Sequence, residues 1–146
     1  MEYASDIWGG SSKSSLSILD RVQRKAIRLV GDQKLTERLQ SLEHRRRVSA
    51  LSLFHRYLVG QCSVEIQSLL PPFVVTQRTA RPSQAQHGFC VLIPNTRTTT
   101  HTTSYIVRVS KLWNQLPKSV FDDRQFRNLS HFKKTIDKLK LESFLA

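Results

Sequence analysis

The feature that most constrains the fold is the helical periodicity of residues 16–30. Four cations recur at i, i+3, i+4 and i+7: Arg21, Arg24, Lys25 and Arg28. At about 100° per residue they share one arc of a helix, called the basic stripe below. The apolar residues occupy the opposite half: Leu16, Leu19, Val22, Ala26, Ile27, Leu29 and Val30. We expect a helix that ends at Gly31, buries its apolar half and presents four positive charges without a carboxylate.

The charge composition indicates the class of ligand that such a stripe would bind. The 146 residues include 23 Lys and Arg against 11 Asp and Glu, which gives a formal charge of +12. Between Ile66 and Phe121 there is no acidic residue at all. A one-sided basic surface is typical of proteins that bind a polyanion. A solvated helix face on a generally basic protein remains the alternative.

A second amphipathic helix is predicted from about Glu43 to Val59, after a short helix at about 35–42. Its packed seam is Val48, Leu51, Phe54 and Leu58. Arg45, Arg46 and Arg47 fall in its first turns, which is the unfavourable end of the helix dipole for cations. Either acids such as Glu37 pair with these arginines, or an anion binds here.

The remaining sequence predicts a mainly α chain, with two small helical subdomains joined by an extended connector. We expect a helical segment at 1–65, an acid-free connector with one or two short β-strands at 66–103, and a helical segment at 104–146. Residues 88–94 have strand composition, and Thr98–Thr103 is β-tolerant rather than helical. Helices are predicted at about 104–116 and 129–144, with Trp113 and Phe132 on their packed sides.

The sequence gives no sign of export or of a membrane span. The first residues have neither a basic nor an apolar signal-peptide region. The longest apolar run, Phe89 to Ile93, is too short to cross a bilayer. We therefore expect an intracellular protein, cytoplasmic or nuclear, with Cys62 and Cys90 as free thiols and no membrane partner.

Several phrases of the sequence, taken in order, carry a resemblance to a known family. They are EYASDIW at 2–8, LDRVQRKAIR at 19–28, LEHRRRVSAL at 42–51, KLWNQLP at 111–117 and FK at 132–133. Together they resemble the C-terminal end of the reverse transcriptase of jockey-like non-LTR retrotransposons. The resemblance covers nearly the whole chain.

That resemblance implies a role without catalysis. In the family this region forms thumb-like helices and a tail downstream of the catalytic palm, and thumb helices grip the template–primer duplex through its backbone. The basic stripe matches a family motif position by position, so the same role is implied for its four residues. The family helix continues from preceding thumb sequence, whereas this chain begins at Met1, so it resembles a fragment that lacks the palm.

Candidate chemistry elsewhere in the chain is sparse. A polymerase needs paired aspartates on a hairpin, but Phe121-Asp122-Asp123 lacks the intervening residue of the family motif. His87 and Cys90 are the one close pair with zinc-ligand spacing, and a zinc knuckle requires four ligands. We predict no catalytic residues, no metal site and no cofactor.

Together with the basic stripe, the resemblance therefore implies a non-catalytic remnant of an RNA-directed DNA polymerase that binds RNA or an RNA–DNA hybrid through phosphates. The predicted contacts are Arg21, Arg24, Lys25, Arg28, Arg45, Arg46 and Arg47. Two alternatives remain open. One is a protein-interaction module that docks on a partner, such as a polymerase core supplied in trans, and the other is a translated pseudogene fragment without function.

Overall fold

A computed structural model describes residues 3–36, 39–74, 87–122 and 125–139. Within these ranges the chain is mainly α-helical, as the sequence predicts. The helices are α1 (Ser5–Trp8), α2 (Lys13–Val30), α3 (Gln33–Thr36), α4 (Leu42–Leu58), α5 (Val64–Ser68), α6 (Thr99–Thr102), α7 (Tyr105–Asn114) and α8 (Leu129–Lys138). A turn of 3-10 helix at Lys118–Val120 links α7 to the chain before α8.

Local capping chemistry sets both ends of α2. The Ser12 hydroxyl accepts a hydrogen bond from the Ser15 backbone N–H at 3.2 Å, which satisfies one of the free amides at the helix start. At the other end Gly31 has a φ of 65°, and its N–H donates to the Ile27 carbonyl at 3.3 Å. That left-handed conformation suits glycine, so the predicted end of the helix is confirmed.

The central helix is α4, which packs against α1, α2, α7 and α8. Ser41 caps its first turn by accepting from the His44 N–H at 3.1 Å. The predicted seam is confirmed, because Val48, Leu51 and Phe54 are buried and Leu58 packs against the core.

The core is built around Trp113 of α7. Its ring meets Phe54 of α4 edge to face, with 5.3 Å between centroids, and lies 5.8 Å from the ring of Phe132 in α8. The indole N–H donates to the Phe89 carbonyl at 2.8 Å, so the buried polar atom is satisfied. The predicted burial of Trp113 is confirmed, and all three predicted segments contribute residues to one cluster.

The connector is described only at its ends, because residues 75–86 lie outside the described part of the chain. In the described part, β structure is limited to one antiparallel bridge between Phe73 and Val91. The Asn114 side chain fixes this region to α7: its amide nitrogen donates to the Val91 carbonyl at 2.8 Å, and its oxygen accepts from the Val91 N–H at 2.9 Å.

The interpretation of Thr98–Thr103 as β-tolerant and non-helical is wrong. Thr99–Thr102 forms the helical turn α6, and the Thr98 hydroxyl caps it by accepting from the His101 N–H at 3.2 Å. The intrinsic preference of threonine for extended backbone is outweighed here, because its hydroxyl is also a good N-cap.

Two further helix predictions are met in part. The short helix predicted at 35–42 is α3, which starts earlier because the Asp32 carboxylate accepts from the Lys34 N–H at 2.9 Å. The last helix, predicted to reach residue 144, is described up to Lys138, and residues 140–146 lie outside the described part.

Candidate nucleic-acid interface

The basic stripe lies on the surface of α2. Arg21, Arg24, Lys25 and Arg28 are all exposed. None of them pairs with a carboxylate among the described residues, and Arg24 donates only to the Asp20 carbonyl of its own helix, at 3.4 Å. Four adjacent cations without neutralising neighbours produce a positive potential along this side of the helix.

The prediction that α2 buries its apolar half is wrong. No residue of this helix is fully buried. The contact with the rest of the protein is narrow: Leu16, Leu19 and Ile27 are half-buried, and the Gln23 amide accepts from the Leu42 N–H at 3.2 Å. One arc of α2 therefore packs against the start of α4. This contact is too narrow to bury the whole apolar half of α2.

The uncovered part forms a strip beside the basic stripe. Ile18, Val22 and Leu29 are 55%, 46% and 78% exposed. At about 100° per residue they fall within one narrow arc, next to the arc that carries the cations. We call these three residues the apolar strip. The outward surface of α2 is thus half cationic and half apolar.

The three consecutive arginines of α4 point in different directions, as expected. Arg45 is exposed, whereas Arg46 is only 8% exposed and its Nη2 lies 3.4 Å from Oδ1 of Asp20 in α2. Arg47 forms an ion pair with Glu43 one turn earlier in the same helix. The acids that pair with Arg46 and Arg47 are therefore Asp20 and Glu43. Glu37, the acid suggested by the sequence, lies outside the described residues. Arg46 and Arg47 are thus engaged within the protein, unlike the basic stripe.

Trp8 lies against this arginine cluster. The guanidinium carbon of Arg46 is 5.9 Å from the centroid of the Trp8 ring, within the range of a cation–π contact. The indole N–H of Trp8 donates to the Tyr3 carbonyl at 2.8 Å. One face of the ring is therefore used inside the protein, where it helps to position Arg46.

Two buried histidines belong to the core. His55 is 1% exposed, stacks on Phe132 with 4.2 Å between centroids, and its Nε2 lies 2.6 Å from the Phe126 carbonyl. His87 stacks on Phe121 at 3.8 Å. Burial lowers the pKa of both rings below the usual 6.5, and the hydrogen bonds to backbone carbonyls oppose that shift.

The candidate catalytic and metal residues do not assemble into a site. Asp122 is exposed on a turn, and Asp123 lies outside the described residues. His87 uses both ring nitrogens, since Nε2 is 3.0 Å from the Trp113 carbonyl and Nδ1 accepts from the Phe89 N–H. Among the described residues there is no group of three or more His, Cys, Asp or Glu placed to hold a metal ion.

No protein-family model, no curated protein and no solved structure matches the chain. The relation to reverse transcriptases therefore rests on the sequence phrases alone. Separately, none of the described helices is long and apolar enough to cross a membrane.

Sequence patterns missed one further group of residues. Lys13, Arg108 and Lys111 line a cavity together with Arg46 and Ser5. They come from α1, α2, α4 and α7, so no spacing along the chain could have predicted that they meet. The sequence contains one weak sign of this cationic group, because Arg108 and Lys111 belong to the stretch without acidic residues.

Proposed function

We propose that this protein binds RNA or an RNA–DNA hybrid through the phosphate backbone, without catalysis of its own. The observation that carries the proposal is the exposure of all four stripe residues on one side of α2. Contacts to phosphates fix the position of a protein on a duplex but do not read its sequence, so binding would have little sequence preference.

The dimensions of the stripe suit a phosphate backbone. Arg21 and Arg28 are seven residues apart, which at about 1.5 Å per residue is roughly 10 Å along the helix. One strand of B-form duplex carries a phosphate for about every 3.4 Å of its axis. The stripe is therefore long enough to follow about three phosphates of one strand.

We also propose that the chain derives from the thumb region of a retroelement reverse transcriptase. The support is the order of its sequence phrases, of which LDRVQRKAIR contains the whole basic stripe. A surface that once gripped a template–primer duplex would present these cations outward, as α2 does. A polymerase core supplied in trans is the protein partner that this origin suggests.

A salt titration tests the proposal. The probe is an RNA–DNA hybrid duplex, and the variant replaces Arg21, Arg24, Lys25 and Arg28 with glutamine. The matched control replaces Lys118, Lys133, Lys134 and Lys138, which are equally exposed and remove the same charge from other surfaces.

We expect wild-type affinity to fall steeply with salt, because bound phosphates release counterions. The stripe variant should reduce the slope of log K against log salt by about two to four, and the control by less than about one. Equal losses in the two variants would mean that net charge alone binds the hybrid. A wild-type slope near zero would rule out the proposal.

The apolar strip favours a second candidate, a module that docks on a partner protein. Ile18, Val22 and Leu29 are exposed together, and adjacent exposed apolar side chains are typical of protein interfaces. The test replaces these three residues with serine and measures binding to a non-LTR polymerase core that lacks its thumb. Loss of that binding with hybrid affinity unchanged would favour docking, and retained binding would remove this candidate.

A further inference from the structure

A cavity of about 530 Å³ lies where α1, the start of α2, the start of α4 and α7 meet. Its volume falls within the range of about 300–1,000 Å³ that is usual for small-molecule sites. We call it the basic cavity. It lies beside the basic stripe, because Lys13, Leu16 and Asp20 of α2 form part of its wall.

The wall carries more positive than negative charge. The cations that line it are Lys13, Arg46, Arg47, Arg108 and Lys111, against the carboxylates of Asp20 and Glu43. Both carboxylates are already paired, Asp20 with Arg46 and Glu43 with Arg47. Lys13 and Lys111 are exposed and make no ion pair with any residue in the described part of the chain. Two ammonium charges at the cavity are therefore left without a counter-charge.

Two buried polar groups in the same wall have no hydrogen-bond partner among the described residues. Arg46 is 8% exposed, and its Nη1 has no partner, although its Nη2 reaches Asp20. Ser5 is 3% exposed, and its hydroxyl is also unpartnered. A buried guanidinium with unused donors is unfavourable, and an acceptor in the cavity would relieve that cost.

Arg108 is held in place by backbone carbonyls. Its Nε donates to the Thr103 carbonyl at 2.9 Å and its Nη2 to the Asp6 carbonyl at 3.1 Å. These bonds use the main chain and orient the guanidinium, whose charge also interacts with the Asp6 carboxyl. The nearby carboxyl of Asp6 is partly buried, and burial raises its pKa while the charge of Arg108 opposes that shift.

Glycine makes this close packing possible. A Cβ on Gly10 would lie 2.1 Å from the Thr103 carbonyl oxygen and 3.2 Å from Nε of Arg108. Both distances are shorter than normal contacts, so α1 and the α6–α7 junction approach this closely only because residue 10 has no side chain. The absence of a side chain at residue 10 therefore sets how closely these elements pack beside the cavity.

The ligand that fits best combines an anionic group with an apolar body. Leu16, Ala50 and Leu112 line the cavity beside the cations. A phosphomonoester carries about −1.5 to −2 charges at neutral pH, which matches two unpaired lysines. Arginine side chains offer forked donors to its oxygens.

We propose that the basic cavity binds a phosphomonoester, carried either by a free nucleotide or by the 5′ end of a nucleic-acid strand. The phosphate would lie among Lys13, Lys111 and Arg46, and the nucleoside against the apolar wall. The strand-end version rests on the proposed function, since a strand that leaves the cavity would run along α2. The free-nucleotide version does not depend on it.

Calorimetric titration at low salt tests this proposal with AMP, adenosine and inorganic phosphate as probes. The variant replaces Lys13 and Lys111 with glutamine, and the matched control replaces Lys133 and Lys134, which lie on α8 away from the cavity. All four lysines are exposed, so both variants should fold.

We expect AMP to bind at least about tenfold more tightly than adenosine, which corresponds to about 1.4 kcal/mol for the phosphate contacts. The Lys13/Lys111 variant should lose about tenfold or more in AMP affinity, and the control should keep it. No AMP binding, equal affinity for AMP and adenosine, or equal losses in the two variants would overturn the proposal.

Two oligonucleotides distinguish the sources of the phosphate. If the strand end is the ligand, a 5′-phosphorylated single strand binds more tightly than the same strand with a 5′-hydroxyl, and the cavity variant removes the difference. If the ligand is a free nucleotide, AMP binds and the two strands bind alike. The stripe variant should leave AMP affinity unchanged, so failure of backbone binding and failure of the cavity give different results.

Discussion

Helices α2 and α4 are of similar length, with 18 and 17 residues, yet they are used in opposite ways. In α4 eight residues are buried, including the polar side chains of His44, Arg46 and His55. In α2, whose apolar and charged residues are separated more cleanly around the helix, none is buried. A clean amphipathic pattern therefore shows that a helix has an apolar face, but not that the same chain covers it.

The difference follows from position in the fold. Helix α4 is surrounded by α1, α2, α7 and α8, so some of its polar side chains, namely His44, Arg46 and His55, also lie against protein. Helix α2 lies at the rim and leans on α4 through one arc. Its outward surface, half basic stripe and half apolar strip, is exposed.

The largest expected effect separates the core from the rim. Trp113→Ala should lower the free energy of unfolding by about 3–5 kcal/mol, because it removes the ring around which α4, α7 and α8 pack. Leu29→Ala, at a side chain that is 78% exposed, should change it by less than about 0.5 kcal/mol. Chemical denaturation measures both. A large loss from Leu29→Ala would show that α2 is covered in solution.

The next effect tests the packing of α1 against the α6–α7 junction. Gly10→Ala places a methyl group 2.1 Å from the Thr103 carbonyl oxygen, so the backbone must shift, at a cost of about 1–3 kcal/mol. Gly88→Ala is the matched control, since a Cβ there meets nothing within 4 Å. Thermal unfolding of the two variants compares them. If both melt like the wild type, α1 does not pack here.

The smallest effect is a dependence of core stability on pH. Burial lowers the pKa of His55 and His87 in the folded protein below the 6.5 of the free side chain. Below about pH 6.5 the unfolded chain therefore binds more protons than the folded one, so stability falls as pH falls and keeps falling until the folded pKa values are reached.

Denaturation midpoints at pH 7.5 and 5.5 check this sign, with His101→Gln as the control because His101 is exposed. The control should lose stability toward pH 5.5 as the wild type does. A midpoint that rises at the lower pH would contradict neutral histidines in the core.

The parts of the fold that depend on neighbouring residues could be predicted from the sequence. Gly31 marks the end of α2 by local capping, and the spacing of Val48, Leu51 and Phe54 identifies the buried side of α4. The four stripe cations were also predicted to share one face, because that depends only on the helical period.

The parts of the fold and of the site that depend on contacts between residues far apart in the sequence could not be predicted. Asp20 meets Arg46 across 26 residues of chain, and the basic cavity draws its wall from four helices. The exposure of Val22 depends on how far α4 extends over α2, which no pattern within α2 encodes. The α6 turn could not be predicted because threonine favours extended structure but is also a good helix N-cap, and its sequence does not show which tendency prevails.

Amide hydrogen exchange with and without an RNA–DNA hybrid tests the central claim most directly, namely that α2 is a binding rim on a core that is stable without it. The account predicts that at low salt the hybrid slows exchange in α2, where the free energy of local opening is low. Exchange in the middle of α4 should stay unchanged. It predicts the same α4 protection in the free protein. Slowed exchange that omits α2, or appears equally in α4 and α8, would contradict the account.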